Sequence, residues 1–335
     1  MTRVVELEIA NFVCRFGTKL VLNDLLDEVV LPAFFNPQPR QYGEAQFFFT
    51  EQRFEYLRKN DVTSLALRCR FIYSTILRRH QVYSPGQGLR ADEKSIDSAP
   101  SALAILLLKS HRLLYVREVP HAPSPKQFGT TFAHFLRLAM IAHHNSRFEQ
   151  SLRSGTKLSK RAIREQFPFA KVDVVPVVSS ESLKHFVRRF DSLKSLRIEL
   201  APTNSELDNN EFFQQLRLSK QKVASQKTVV QHQSAKGLDK DNCVAHIEAA
   251  KQGNALIQMK GVDSNGDELK GNNDNFSVRA SLEEVSEQID TRAKDVFEKY
   301  EELVEKEVIT LGMPTKDDSE KLKESFKRFH RGESK

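Results

Sequence analysis

The chain has 335 residues, of which 39% are apolar, and its formal net charge is +7. The apolar content is enough for a substantial core, whereas the longest apolar run, 102–108, is too short to span a bilayer. Cys14, Cys69 and Cys243 are too far apart for a disulfide framework or a CxxC metal pair, so we expect a soluble cytoplasmic protein.

The first hundred residues predict a β-rich region. Period-two apolar patterns predict strands at 4–10, 45–49, 54–57 and 65–76. Thr18 is a suitable N-cap for a helix over 19–30, which Pro32 would end. The segment 80–100 is rich in Gly, Pro, Ser and charge, so we expect a long exposed loop there.

The middle of the chain contains the clearest local signals. Two apolar runs, 102–108 and 112–117, flank the polar step 109–111 and predict a β-hairpin. Ser124 followed by Pro125 is a typical N-cap and first helical residue, and the helix should run to about His144.

The second half alternates between strand and helix patterns. Strands are expected at 172–178, 196–200, 255–262 and 275–278, and helices after Ser180, at 212–223 and from Asp239 or Asp241 to Gly253. Asn265-Gly266 predicts a hairpin turn, and Ser281 with Glu284 forms a capping box that would open a long acidic helix to about residue 307.

These patterns predict an α+β fold. A β-rich domain with a mixed sheet, the hairpin and a Phe-bearing helix would occupy 1–150. A basic, alternating α/β domain that ends in the long acidic helix would occupy 151–312, and 313–335 would form a polar tail.

The charge is unevenly distributed along the chain. Residues 1–230 contain 34 Lys and Arg against 22 Asp and Glu, a balance of +12, whereas 231–335 contain 17 against 22, a balance of −5. A net positive charge over most of a chain favours a polyanionic partner, with nucleic acid as the first candidate.

The first basic cluster is on a predicted strand. Arg68 and Arg70 share one face because strand side chains alternate, and Arg78, Arg79 and His80 follow at the start of the predicted loop. Arginine presents a planar fork that matches phosphate oxygens, so this face could bind a phosphate backbone. The alternative is an ordinary solvent-facing surface opposite a buried face.

Two further clusters are on predicted helices. Lys157, Lys160, Arg161 and Arg164 have i, i+3, i+4, i+7 spacing, which would align them as one stripe on a helix. Lys184 and Arg188 are i, i+4 neighbours on the polar face of the helix after Ser180. Each stripe suits phosphates or an acidic partner, and each could equally be a solvated helix face.

Catalytic signals are poor. Asp263, Asp267, Glu268 and Lys270 resemble the acids and lysine of a metal-dependent nuclease, although a hairpin turn explains them fully. The adjacent pair His143-His144 would point in different directions on a helix and is a poor metal site. We therefore assign no catalytic residue, no metal ligand and no cofactor.

One stretch carries a family resemblance. ALAILLLKSHRLLYVREVPHAPSPKQFGTTFAHFL, followed by VDVVPVV and KSLRIELAP, gives strand, turn, strand and Phe-bearing helix before a hydrophobic strand with an internal Pro. This order, over about residues 100–200, resembles the sensor subunits of phage exclusion (Rex) systems and, more broadly, uncharacterised bacterial and phage defence proteins. The resemblance implies sequence-tolerant DNA binding, self-association and a role in sensing phage infection.

The resulting expectation is a non-enzymatic, homodimeric or larger protein that binds double-stranded DNA through its phosphates and acts in phage defence. A membrane or effector protein is a possible further partner. The alternatives are a protein-interaction adaptor of a defence complex and a metal-dependent nuclease.

Overall fold

The computed structural model describes residues 5–204, 206–207, 210–248, 254–282, 286–310, 313–314 and 318–332. The strands are β1 Val5–Phe16, β2 Leu20–Val21, β3 Arg40–Tyr42, β4 Ala45–Lys59, β5 Val62–Ser84, β6 Gly88–Ser98, β7 Ser101–Leu107, β8 Arg112–Arg117, β9 Ala170–Pro176, β10 Phe190–Leu200, β11 Glu206–Leu207, β12 Val229–Gln233, β13 Ala255–Asp263, β14 Glu268–Asn272, β15 Arg279–Leu282 and β16 Met313–Pro314. The helices are α1 Leu31–Phe35, α2 Pro125–Arg153, α3 Lys160–Gln166, α4 Ser180–Arg188, α5 Glu211–Lys222, α6 Lys240–Glu248, α7 Ile289–Glu305 and α8 Ser319–His330.

The α+β class is confirmed. Within the described residues, ten strands form one sheet in the order β15-β1-β8-β7-β5-β4-β3, with β2 and β9 also pairing with β1 and β6 pairing with β5. Every register in this sheet is antiparallel. The strands β9 and β15, from the predicted second domain, therefore pair with β1 of the first, and the predicted boundary at residue 150 lies inside α2.

One face of the large sheet is covered by α2, α1 and α8. Alternate residues of the strands face this side, so Phe12, Phe49 and Phe71 pack against Phe128 and Phe132 of α2. The predicted start of α2 is confirmed: the Ser124 hydroxyl accepts from the Gln127 amide, with Pro125 at the first helical position. The helix continues past the predicted His144 to Arg153. The segment predicted as a polar tail contains a helix, α8, which buries Leu322 in this core.

The opposite face is covered by α7. Leu103, Ile105 and Leu107 of β7 face this side and share a core with Val296 and Phe297 of α7. The predicted start of the acidic helix is wrong: Ser281 and Leu282 lie in β15 and pair with β1, and the helix begins at Ile289. The predicted capping residue Glu284 lies outside the described residues, as does Gly253.

A smaller sheet follows in the order β12-β10-β13-β14, with α4 and α6 packed against it and Phe213 of α5 buried in the same core. The hairpin predicted at Asn265-Gly266 is confirmed, because β13 and β14 pair on either side of this turn and Gly266 takes a left-handed φ of +86°. The alternation of strands and helices expected for this part of the chain is present from β9 to β13.

Two local predictions were wrong. The segment predicted as one helix over 19–30 is a short strand, a 3-10 turn and a π-helical turn. Pro32 does not end it but lies in the first turn of α1, where a missing backbone donor costs nothing. Residues 80–100 are not a loop: β5 runs on to Ser84 and pairs with β6 in a long hairpin.

None of the helices among the described residues combines the length and apolar character needed to cross a bilayer.

Candidate nucleic-acid interface

The positive charge of the chain is concentrated where α2 meets α3. Residues 137–171 contain eight Lys and Arg and two Glu, a balance of +6 in a chain whose total is +7. The last turns of α2, the loop 154–159 and α3 are all within this stretch, and α3 packs on α2. This corner is therefore the candidate electrostatic footprint for a polyanion.

The backbone conformation between α2 and α3 separates Lys157 from the rest of the predicted helical stripe. Gly155 and Lys157 take positive φ values of +75° and +45° after the end of α2. The Ser159 hydroxyl then accepts from the Ala162 amide and caps α3, which starts at Lys160. The prediction that Lys157 belongs to the helix is therefore wrong, although it lies in the loop that leads directly into α3.

Aromatic rings support several of the cations. The Arg147 guanidinium lies 5.2 Å from the centroid of Phe167, and the Lys160 ammonium lies 5.1 Å from that of Phe148. Such contacts hold the side-chain stem on an apolar surface while the charged head stays in water. One of the chain's own cations thereby lies over each of the two rings.

Most of these charges have no acidic partner. Arg161 pairs with Glu165 at 2.8 Å. Five exposed cations of this stretch form no ion pair in the part of the chain that the structure describes. We call these five residues the basic corner: Arg147, Arg153, Lys157, Lys160 and Arg164. Exposed, unpaired cations keep their full attraction for an external anion.

The basic corner is a surface rather than a pocket. The cavity lined by His144, Lys160 and Arg164 holds about 20 Å³, room for a single water molecule. The His144 ring nitrogen Nε2 lies 2.7 Å from the Phe167 carbonyl oxygen, so this histidine has a structural contact. Burial, and then the charge of Arg147, lower the pKa of His143, which keeps that ring neutral at pH 7.

The strand cluster is occupied by the protein's own acids. Arg68 is 1% exposed and donates to Glu55 and to Asp290 of α7, each at 2.5 Å. Arg70 pairs with Glu51 and, at 2.9 Å, with Glu118. The expectation of an accessible basic face is wrong for Arg68, because α7 covers that face and supplies one of its two carboxylates.

Arg78 and Arg79 lie instead on a hairpin that extends from the large sheet. We call residues 75–98 the arm, in which β5 and β6 pair only with each other. Arg78 pairs with Glu44 at 2.8 Å, and Arg79 pairs with Asp92. All four side chains are partly exposed, so these pairs are weak and solvent-screened.

The arm also carries exposed apolar side chains. Leu77 is the cross-strand partner of Ile96, and Tyr83 is the partner of Leu89. Ile96 is 67% exposed, and Tyr83 and Leu89 are each 70% exposed. An isolated two-stranded hairpin is only marginally stable, so the arm is a candidate contact surface.

The remaining predicted residues lie apart from these features. On α4, Lys184 pairs with Glu248 at 3.3 Å, and Arg188 is exposed. At the β13–β14 turn, the Asp263 carboxylate accepts from the backbone amides of Asn265 and Asp267. These bonds give Asp263 a turn-forming role.

The proposed nuclease lysine also has a local partner. Lys270 pairs with Glu268 at 2.7 Å on the exposed hairpin. Across the described ranges, no group of three or more His, Cys, Asp or Glu is placed to hold a metal ion. The hairpin therefore gives no support to a metal-dependent nuclease site.

The structure thus joins one predicted cluster and separates the others. Lys157, Lys160, Arg161 and Arg164 lie together, with Arg147 and Arg153 beside them. The supporting rings were not predicted, although the Phe-Pro-Phe sequence at 167–169, directly after the basic run, was a visible signal.

A family model described as "Domain of unknown function (DUF4747)" matches residues 148–302. The match begins in the last turns of α2 and ends in α7, so it includes most of the basic corner and the smaller sheet. No curated protein matches the chain.

Proposed function

We propose that this protein binds double-stranded nucleic acid, with DNA as the ligand, through phosphate contacts from the basic corner. The observation that supports this most directly is the +6 balance of residues 137–171, presented on exposed cations without acidic partners. Lys160 and Arg164 are four residues apart on α3, a rise of about 6 Å, which suits successive contacts along a charged backbone.

The two aromatic rings beside the basic corner favour a double-stranded over a single-stranded ligand. Single-strand binders stack bases on open aromatic faces. Here Phe148 and Phe167 are half-buried, and Lys160 and Arg147 lie over them, so phosphate contact to a duplex is favoured over base stacking. The choice of DNA, self-association and the role in sensing phage infection rest on the resemblance of residues 100–200 and belong to the same proposal.

The test is duplex affinity as a function of salt. Fluorescence anisotropy with a 20-bp DNA should show weaker binding between 50 and 200 mM KCl. The triple variant Lys157→Gln, Lys160→Gln, Arg164→Gln should lower the slope of log K against log salt by about 2.7, at about 0.9 for each phosphate contact. Raising the salt concentration fourfold should then weaken duplex binding by the variant about 40-fold less than it weakens duplex binding by the wild type.

The matched control removes three exposed lysines from other helices. Lys294 of α7 and Lys323 and Lys327 of α8 are exposed, so replacing them with Gln gives the same change in net charge. The control should keep the wild-type slope. Equal slopes for the triple variant and the wild type, or no duplex binding by the wild type, would remove the proposal.

The arm favours a second candidate function, an adaptor that binds another protein through Leu77, Ile96, Tyr83 and Leu89. The paired change Leu89→Thr and Ile96→Thr reduces exposed apolar surface without touching a core. If the adaptor function is correct, these changes abolish co-purification of a protein partner, the complex has the absorbance ratio of pure protein, and the basic-corner variant leaves it intact.

A further inference from the structure

A cleft of about 580 Å³ lies where the large sheet, the first turns of α2 and the smaller sheet meet. Its walls come from α2 within 124–130, from β9 at 172–176, from β13 at 256–258 and from the turn 272–274. Clefts of about 300–1,000 Å³ are the usual size of ligand sites in proteins. This cleft is therefore large enough for a short stretch of peptide.

Strand β9 contributes its outer backbone edge to the cleft. The Val177 amide donates to the Ile9 carbonyl oxygen at 3.0 Å, which identifies these two residues as a hydrogen-bonded pair of the antiparallel ladder. Hydrogen-bonded and non-hydrogen-bonded pairs alternate along such a ladder, so Asp173 also bonds to β1. The N–H and C=O groups of Val172 and Val174 therefore point away from β1, on the side of the cleft that both residues line.

This edge has no strand beside it in the part of the chain that the structure describes. There β9 pairs with β1 alone, and no described group bonds to the outward N–H and C=O of Val172 or Val174. Pro176 occupies the next outward position, where the missing N–H removes no bond to β1. A row of unpaired N–H and C=O groups is a template for an additional strand, so the edge fits an extended peptide.

Helix α2 packs on the side chains of β9 rather than on its edge. A Cβ atom on Gly129 would lie 2.5 Å from Cγ2 of Val174, so the glycine allows the helix to approach the face of the strand closely. The smaller sheet supplies another wall of the cleft, where Leu256 of β13 is 40% exposed. A bound peptide could therefore bury apolar surface as well as pair with the edge.

The charges around the cleft are balanced. Three cations and three acids line it: Arg117, Lys126, Arg279, Glu8, Asp173 and Asp274. Such a balance does not favour a polyanion. Lys126 is exposed and Asp173 is half-buried, and neither forms an ion pair within the described ranges. Lys126 belongs to the helix that packs on Val174, whereas the Asp173 side chain points to the other face of β9, because strand side chains alternate.

We propose that this cleft is a peptide-binding site, in which an extended segment of a partner protein pairs with β9 as an added strand. The backbone of the segment bonds to Val172 and Val174. A basic side chain of the segment lies opposite Asp173, and the acidic side chains before and after it face Lys126, because opposite charges on paired strands attract. The site requires neither the basic corner nor the arm.

The probe is a fluorescein-labelled peptide, Thr-Val-Glu-Lys-Glu-Val-Thr, whose symmetric sequence presents the same pattern in either strand direction. Fluorescence anisotropy compares its binding to the wild type and to Val174→Pro, which removes one outward N–H without removing a bond to β1. The matched control is Val174→Ala, which also shortens the side chain against α2 but keeps the N–H. Val174→Pro should bind about tenfold more weakly, the effect of one lost hydrogen bond, and Val174→Ala should bind like the wild type.

Two further measurements use the wild type alone. The charge-reversed peptide Thr-Val-Lys-Glu-Lys-Val-Thr should bind about tenfold more weakly than the probe. In hydrogen exchange, the amides of Val172 and Val174 should exchange quickly in the free protein and about tenfold more slowly with the probe bound, whereas the Asp173 amide should be slow in both states.

The proposal is overturned if the probe does not bind, if Val174→Pro and the wild type bind it equally, or if the Val172 and Val174 amides are already slow in the free protein. Displacement of the probe by duplex DNA would assign the cleft to nucleic acid and would overturn the proposal as well. Val174→Pro should leave duplex affinity unchanged, so a failure here is distinguishable from a failure of DNA binding at the basic corner.

Discussion

The buried Arg68 should tolerate replacement by an apolar side chain better than it tolerates the loss of its two carboxylates. Arg68 is 1% exposed, whereas its partners Glu55 and Asp290 are 31% and 69% exposed. Removing Arg68 leaves two carboxylates that water can reach, whereas removing the carboxylates leaves a guanidinium that water cannot reach. The two perturbations of the same ion-pair network should therefore differ greatly in cost.

The magnitudes follow from these exposures. Arg68→Met keeps most of the side-chain volume and removes the charge, so its cost should be about 1 kcal/mol or less. The double variant Glu55→Gln, Asp290→Asn strands a buried charge, for which about 3–5 kcal/mol is typical. We expect about 3 kcal/mol, the lower end, because solvent already screens the exposed Asp290.

The assay is urea denaturation at pH 7 followed by circular dichroism, since the chain has no Trp. The free energy of unfolding should fall far more for the carboxylate variant than for Arg68→Met, with similar denaturant slopes. Arg68→Met should also leave the salt dependence of duplex binding unchanged. If Arg68→Met destabilises as much as the double variant, the reasoning from burial is refuted.

Two further outcomes are expected. Gly261→Ala would place a Cβ 2.2 Å from the Ser192 carbonyl oxygen, so the urea midpoint should fall by the equivalent of about 1–3 kcal/mol, and an unchanged midpoint would contradict this packing. Burial, followed by nearby arginines, lowers the pKa of His143 and His134, so the unfolded chain binds protons first as the pH falls below 6.5. Stability should therefore decrease between pH 7 and pH 5.5, and His143→Gln should reduce this decrease in parallel urea titrations.

The features that were predicted correctly from the sequence depend on residues that are adjacent in the chain. Ser124 and Pro125 start α2, residues 109–111 turn one hairpin, and Asn265-Gly266 turns another. In each case a few adjacent residues supply the cap or the turn conformation. The error at 80–100 has the same origin: Gly86 and Gly88 mark only the tip of the arm, and the pairing of Leu77 with Ile96 is not visible locally.

The burial of Arg68 could not be predicted in this way. Its partner Asp290 is 222 residues away in sequence, on an acidic helix whose packing position the sequence pattern does not specify. The alternation of β5 correctly puts Arg68 and Arg70 on one face, but it cannot show that α7 covers that face. Whether a basic residue is available to a ligand is decided by tertiary contacts with acids.

The same argument separates the basic corner from the other clusters. Its cations occur in a run with only Glu149 and Glu165 as local acids, and the fold brings no distant carboxylate into an ion pair with the corner within the described residues. Arg15 and Lys171 show the converse, since the pairing of β1 with β9 brings these two cations together from positions that carry no pattern in sequence. A charge count therefore indicates a candidate interface only where the excess is both contiguous in sequence and left uncompensated by folding. Of the clusters predicted from the sequence, α3 and its approach meet both conditions best.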